Sequence, residues 1–307
     1  MVKSHPSQSD SSQPAAGSVS SGYLSLRQTV GTTYIIAYKE NTQQLETSLR
    51  VEGLPCEVLR QVWQEGYETY ARIYLAMLNH LSAWRRIARS DGIALVVEAD
   101  FVPVQGIGHL PLPFDPSHSD VGMAWIYTCA PQIYTVSCEG YAQGFSTSMV
   151  AYLITPAAAQ SLVEMAESIH QSEQVGTYIN WDSGIEEFLR KRGLRSFVPF
   201  RNYGEHGGRP NPEHQQHGLS RMHRADVLYG KLAFMPYYAF EGDVPPTMND
   251  ASLKSHLHYV GARLYARTKG IGRLLLGKFL RWYVCRTSSS PARLLRFAFS
   301  RQLISRL

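Results

Sequence analysis

The chain has 307 residues, 44% of them hydrophobic and 18% charged, the composition of a globular protein long enough for one large domain or two ordinary ones. No apolar run is long enough for a membrane-spanning helix, and Cys56, Cys129, Cys138 and Cys285 lack the CxxC spacing of a disulfide framework or a cysteine zinc site, which predicts reduced thiols in a cytoplasmic protein. The net charge of +5 conceals an asymmetry: residues 251–307 hold 12 Lys and Arg and no Asp or Glu, while residues 1–250 hold 18 against 25, so a tail of +12 follows a body of −7.

Residues 1–22, MVKSHPSQSDSSQPAAGSVSSG, offer almost nothing to bury and are expected to form a disordered arm; they also lack the apolar centre of a secretory signal. After them, TTYIIAYKEN (32–41) reads as a β-branched and aromatic strand, and TQQLETSLRVEG (42–53) as a short helix stopped by Gly53. CEVLRQVW (56–63) fits a second strand. A long helix is expected over 67–92, with Ile73, Met77, Leu81 and Trp84 at helical spacing. IALVVEAD (93–100) is a continuous apolar run of strand length, as for a strand covered on both faces. This alternation predicts an α/β sandwich with a mostly parallel central sheet over residues 23–250, in which ligands bind beyond the carboxyl ends of the strands. Glu98 and Asp100 stand at such an end, and alternation along a strand would send both to one side.

Further on, a strand is expected around Met149 to Ile154, then a helix from Pro156. NWDSGIEEFLRKRG (180–193) reads as a helix with Asp182 near its start, where an aspartate is a natural cap, and LRSFVPF (194–200) as another strand. Residues 201–224, rich in Gly, Pro, Asn and His, read as a long polar loop.

A helix carrying His80 and Trp84, a short turn, and a strand ending in Glu98 and Asp100 together resemble the family-25 (lipooligosaccharide-type) glycosyltransferases, whose pattern is His-x-x-x-Trp followed by Glu-Asp-Asp. Ala151, Tyr152 and Leu153 are similar to a later strand of that family. Two departures are visible: Ala99 replaces the middle acid, and Ala37-Tyr38-Lys39-Glu40 stands where the family tends to read Asn-Leu-Asp-Arg. The resemblance covers roughly residues 32–240 and implies a GT-A-like, Rossmann-like α/β/α fold. It further implies a nucleotide-sugar donor such as a UDP-sugar, a divalent metal (Mn²⁺ or Mg²⁺), and a glycan or glycolipid acceptor on a cell-surface polysaccharide pathway such as lipopolysaccharide biosynthesis. The chemistry suits an acid-x-acid strand end, because one or two carboxylates can hold a metal that neutralises a departing nucleoside diphosphate.

On that reading Asp100 is a metal ligand, the alternative being a solvated turn acid; Glu98 binds metal through water or holds the ribose, or else pairs with a basic side chain. His80 and Trp84 are support beneath the site. Asp182 is the candidate general base, with Glu139 a weaker one. One loop histidine among His206, His214 and His217 is expected to complete the metal site, with His206 and His217 preferred; His214, His217 and Glu213 alternatively suggest a small zinc site. Arg209, Arg221 and Arg224 are candidates for clamping diphosphate oxygens.

The basic C-terminal extension, 251–307, is expected to be helical. Over 269–284, Lys269, Arg273, Lys278 and Arg281 project opposite Ile271, Leu275, Leu276, Phe279, Trp282 and Tyr283, the pattern of an interfacial helix on an anionic membrane surface. A peripheral position on the inner face of the membrane follows, the alternative being that the apolar face docks onto the catalytic domain with the arginines solvated; nucleic acid is not expected, since no recognition motif accompanies the charge. The alternative to an enzyme is a glycosyltransferase-like binding or scaffold protein at the membrane that has lost the chemistry.

Overall fold

Strands rich in Val, Ile and aromatic residues form the centre of the molecule. The computed structural model describes residues 24–172, 176, 177, 179–210, 223–277 and 288–303. After a single helical turn, α1 (Leu26–Thr29), come β1 (Thr32–Ala37), α2 (Gln43–Val51), β2 (Cys56–Arg60), α3 (Arg72–Ile87), β3 (Ala94–Glu98) and β4 (Phe101–Pro103). Then follow β5 (Val121–Trp125), β6 (Gln132–Val136), β7 (Ala142–Phe145), β8 (Ala151–Ile154), α4 (Pro156–Gln171), α5 (Trp181–Lys191), β9 (Arg195–Val198), β10 (Gly204–His206), α6 (Leu253–Leu275) and α7 (Pro291–Leu303).

Eight strands form one mixed sheet in the order β2-β1-β3-β8-β5-β9-β7-β6. Pairing is parallel for β1 with β2 and β3, and for β5 with β9; β8 and β7 run against their neighbours, so six of the eight strands share one direction. Side chains alternate between two buried layers. Tyr34, Ile36, Ala94, Val96, Tyr152 and Ile154 face α3, α4 and α5, while Ile35, Ala37, Leu95, Val97, Ala151 and Leu153 face α2 and the segment from Phe101 to Phe114. Double coverage explains why these strands read as unbroken apolar runs. Between Phe101 and Phe145, β4 to β7 have no counterpart among the expected elements, although β5 is buried at all five positions; short strands set among Pro and Gly turns give too little periodicity to read.

Several expectations need correction. The long helix is shorter, because Tyr67–Thr69 forms a separate 3-10 turn and α3 starts at Arg72. The segment 201–224 is not all loop, since β10 pairs antiparallel with β4 as a second, two-stranded sheet. Asn180, not Asp182, occupies the cap position of α5.

The C-terminal helices lie against the main sheet's far edge, with Leu274, Leu294, Phe297 and Ala298 packed on Ile133, Val136, Ala142 and Val198. Several arginines face inward. Arg263 pairs with the fully buried Glu205, Arg273 donates to the Cys129 carbonyl, and the buried Arg301 reaches Asp226 at 2.8 Å. Of the cationic side chains expected to face a membrane, Arg273 is therefore turned to the docking side, where its guanidinium satisfies a carbonyl at the domain surface. At Gly270 a Cβ would press on Gln302 and Asp226, so a side chain there would hold α6 away from α7. The expected arm (1–22), and Lys278, Phe279, Arg281, Trp282 and Tyr283 of the expected interfacial helix, lie outside the described residues. Among the described residues no helix is long and apolar enough to cross a membrane.

Candidate functional site

The carboxyl end of β3 is fixed by backbone bonds on both sides: Glu98 N–H donates to Val150 O at 2.8 Å and Ala99 N–H to Ile36 O at 2.9 Å. The strand stops at Glu98, so Asp100 sits in the turn leading to β4, and this turn, more than strand alternation, brings the two carboxylates together. β4 then pairs with β10 so that Phe101 lies opposite His206, and Gly207 N–H donates to Asp100 O at 2.8 Å. His206 Nε2 thereby comes within 3.0 Å of Asp100 Oδ2. Glu98, Asp100 and His206 each present one ligand atom, all within 4.8 Å of one another.

Burial would raise the Asp100 pKa, but the His206 charge and hydrogen bond, with Arg224 behind them, hold it below the usual carboxylate range. For His206, burial works downward and the Asp100 carboxylate upward; the carboxylate prevails and the imidazole is pushed up to about 9. The two groups thus form an ion pair at neutral pH. A metal ion would have to displace the imidazole proton. Two features make room for one: Asp100 Oδ1 is buried without a hydrogen-bond partner, and Gly208 leaves open the position where a Cβ would overlap Asp100 Oδ2 and crowd His206 Nε2. Two carboxylates and an imidazole suit Mn²⁺, and with fewer protein ligands Mg²⁺.

Behind Glu98 runs a chain of hydrogen bonds. Trp84 Nε1–H donates to the Tyr152 hydroxyl oxygen at 2.8 Å, which leaves the hydroxyl proton for His80 Nδ1 at 3.0 Å and His80 Nε2–H for Glu98 Oε1 at 3.3 Å. His80 and Tyr152 are buried, so the chain fixes the direction from which Glu98 is approached. Behind His206, Glu205 Oε1 accepts the backbone N–H of His206 at 3.0 Å and that of Ala225 at 2.8 Å, while its other oxygen takes Arg263. Arg224 lies 3.7 Å over the Tyr238 ring and donates to the carbonyls of His206, His223 and Gly208.

A cavity of about 760 Å³ opens over the strand ends, its lining running from Tyr38, Trp63, Tyr67 and Tyr70 to Glu98 and Asp100. Trp63, Tyr67, Tyr70 and Tyr74 form a ladder of rings with successive centroids 5.8, 5.4 and 5.3 Å apart.

No family model matches the chain, and no curated protein matches it. One solved structure similar to it in shape is the crystal structure of a glycosyltransferase involved in the glycosylation of the major capsid of PBCV-1, at 10% identity and a TM-score of 0.37, covering 54% of this chain and 81% of that one. A likeness of that degree decides nothing about function.

The expected site residues fall into three groups. Glu98, Asp100 and His206 converge, with His80 and Trp84 behind them. Asp182 is near enough for the Glu98 charge to act on it; burial chiefly, and Glu98 in addition, push its carboxyl up to about 6 against the pull of the Ser183 N–H. Arg209 stands apart, exposed and donating to Gly242 O at 2.7 Å, a carbonyl that its flexible stem reaches in preference to the carboxylates. Glu139 lies in the exposed β6–β7 turn beside Cys138, with no contact to the cluster. Arg221, Glu213, His214 and His217 lie outside the described residues. Glu205 and the aromatic ladder were not anticipated. The spacing of Tyr67, Tyr70 and Tyr74 was the available signal for the ladder, but it reads equally as a helix face.

Proposed function

We propose that this protein is a metal-assisted glycosyltransferase that moves a sugar from a nucleotide-sugar donor, a UDP-sugar, to a glycan or glycolipid acceptor at the cytoplasmic face of a membrane. The resemblance at His80, Trp84, Glu98, Asp100 and Ala151 to Leu153 supports the class. The observation that carries the reading is the convergence of Glu98, Asp100 and His206, with the two carboxylates lining a cavity of about 760 Å³, a volume suited to a ligand of nucleotide size.

A divalent ion held by Asp100, His206 and Glu98 would neutralise the charge that develops on the departing diphosphate. The aromatic ladder offers ring faces to a nucleobase, and Arg224 adds positive charge close to Asp100. Asp182, with its carboxyl near 6, is ionised at neutral pH and sufficiently basic to accept a proton from an acceptor hydroxyl. In that step the acceptor oxygen bonds to the anomeric carbon, the bond from that carbon to the phosphate oxygen breaks with its electron pair going to the nucleoside diphosphate, and the hydroxyl proton goes to Asp182.

The test is a thermal-shift titration with UDP, GDP and CMP, each with and without Mn²⁺, on the wild type and Asp100→Asn. A metal-dependent rise in Tm with one nucleotide, absent in Asp100→Asn, is expected, since a ligand at a hundred times its Kd stabilises by about 2.7 kcal/mol. No shift with any nucleotide, from folded protein, would favour the non-catalytic scaffold.

A further inference from the structure

The C-terminal helices carry an apolar surface that the site does not use. Of the sixteen exposed large hydrophobic side chains among the described residues, ten fall between Leu253 and Leu303. On α6 they form a stripe. At 100° per residue, Leu253, Leu257, Val260, Leu264 and Leu275, with the half-buried Ile271 between them, fall within an arc of about 60° along a helix about 34 Å long. Leu253, Leu257, Leu264 and Leu275 are each more than three-fifths exposed, whereas Ser255, Ala266 and Gly270, on the opposite side of the helix, are buried against the body. On α7 Leu295 and Phe299 are also exposed, together with Arg293 and Arg296.

Charge selects the occupant. Two copies of α6 packed stripe to stripe would bring together two segments, 251–307, that hold no Asp or Glu, with Arg293 and Arg296 exposed on α7 and no opposite charges to form the flanking pairs that steer helix association. An anionic bilayer supplies the missing sign. It also accepts a helix lying flat with leucines inserted to one side and the protein on the other. A basic surface made for nucleic acid would not carry a leucine stripe at its centre.

We infer that α6, with the exposed residues of α7, is the surface by which this protein lies on an anionic lipid bilayer, Leu257, Val260 and Leu264 entering the interface and Arg293 and Arg296 meeting headgroups. This surface overlaps the expected contact at 269–284 through Ile271 and Leu275, and the inference stands whether or not the protein transfers sugars.

Flotation of the full chain with vesicles of phosphatidylcholine alone, or with about a third phosphatidylglycerol, tests it. Co-flotation with the anionic vesicles only, weakened by salt, is expected. Leu257→Glu/Leu264→Glu should lower partitioning about tenfold or more, and Arg293→Glu/Arg296→Glu at least about fivefold. All four positions are exposed or nearly so, and unchanged Tm values will verify folding; Leu257→Gln/Leu264→Gln serves as a milder pair. Absence of binding to anionic vesicles, or binding indifferent to the leucine changes, overturns the inference. So does a dimer in light scattering that Leu257→Glu/Leu264→Glu dissociates, which would assign the stripe to a second copy.

Discussion

Asp100 and His206 are 106 residues apart in sequence, yet Oδ2 of one and Nε2 of the other are 3.0 Å apart. The contact follows from register: β10 lies antiparallel to β4 with His206 opposite Phe101, so the chain beyond His206 passes beside the turn that holds Asp100. Gly207 seals that approach through its N–H on Asp100 O, and Gly208 follows it past the two side chains.

Gly208 is where the opening beside the ion pair can be closed with one methyl group. In Gly208→Ala the new Cβ would overlap Asp100 Oδ2 and crowd His206 Nε2. We expect Mn²⁺ affinity, read by calorimetry, to fall at least about tenfold while stability without metal drops by about 1–3 kcal/mol, the usual cost of overpacking. Wild-type Mn²⁺ affinity in a folded Gly208→Ala protein would remove the metal from this cluster.

How much of this was legible in the sequence differs by element. β1, β3, α3 and α4 were readable because burial on both sheet faces gives unbroken Ile and Val runs, and a helix over a core gives a 3.6-residue rhythm. The carboxylates stood out because Glu98 interrupts such a run. His206 could only be offered alongside His214 and His217, since β4 and β10 are three residues each and nothing in FVP or GEH announces their pairing. The inward-facing arginines of the C-terminal helices were hidden for a related reason. Helical spacing separates a charged face from an apolar one but does not say which docks, and here Arg263 and Arg301 dock because Glu205 and Asp226, distant in sequence, are buried beneath them.

Asp182 should reveal itself through pH. Burial raises its carboxyl from near 4 in the unfolded chain to about 6. An acid raised in this way makes the folded state hold the extra proton between those values, so it subtracts stability as pH rises from about 4 to about 6 and by a constant amount above. Asp182→Asn should therefore match the wild type in stability at pH 4 and exceed it by up to about 3 kcal/mol at pH 7. Transfer should drop about 10²-fold or more, and wild-type kcat/KM should fall as pH goes below 6. Denaturation at pH 4, 5 and 7 checks the first part; a stability difference that does not change with pH would contradict it.

Tyr152 joins α3 to the site through one oxygen. Tyr152→Phe leaves Trp84 Nε1 and His80 Nδ1 without a partner in the core, which should cost about 1–3 kcal/mol. With Nδ1 released, His80 is no longer held in the tautomer that donates to Glu98, and nucleotide affinity in the presence of Mn²⁺ should weaken by about tenfold. A loss of stability with unchanged affinity would mean that the chain of bonds is structural only.

Arg301 ties α7 into the body alongside the apolar contacts of Leu294, Phe297 and Ala298. It is fully buried, donates to Pro199 O at 2.6 Å and Phe200 O at 2.7 Å, and meets Asp226 Oδ1 at 2.8 Å. Burial would raise the Asp226 carboxyl, but Arg301 holds it below the ordinary range, so the pair contributes stability above pH 4 that is lost as pH falls through the depressed pKa. Arg301→Met leaves a carboxylate buried without its cation and two carbonyls without a donor, a loss of about 3–5 kcal/mol at pH 7. The deficit should shrink towards pH 4, where the freed Asp226 takes up a proton. Adding Asp226→Asn should recover part of it by removing the charge and leave the part due to the carbonyls. Urea denaturation of the three proteins at both pH values separates these terms; a double variant no more stable than Arg301→Met would place the whole cost in the carbonyls and show that the ion pair adds nothing to the docking of α7.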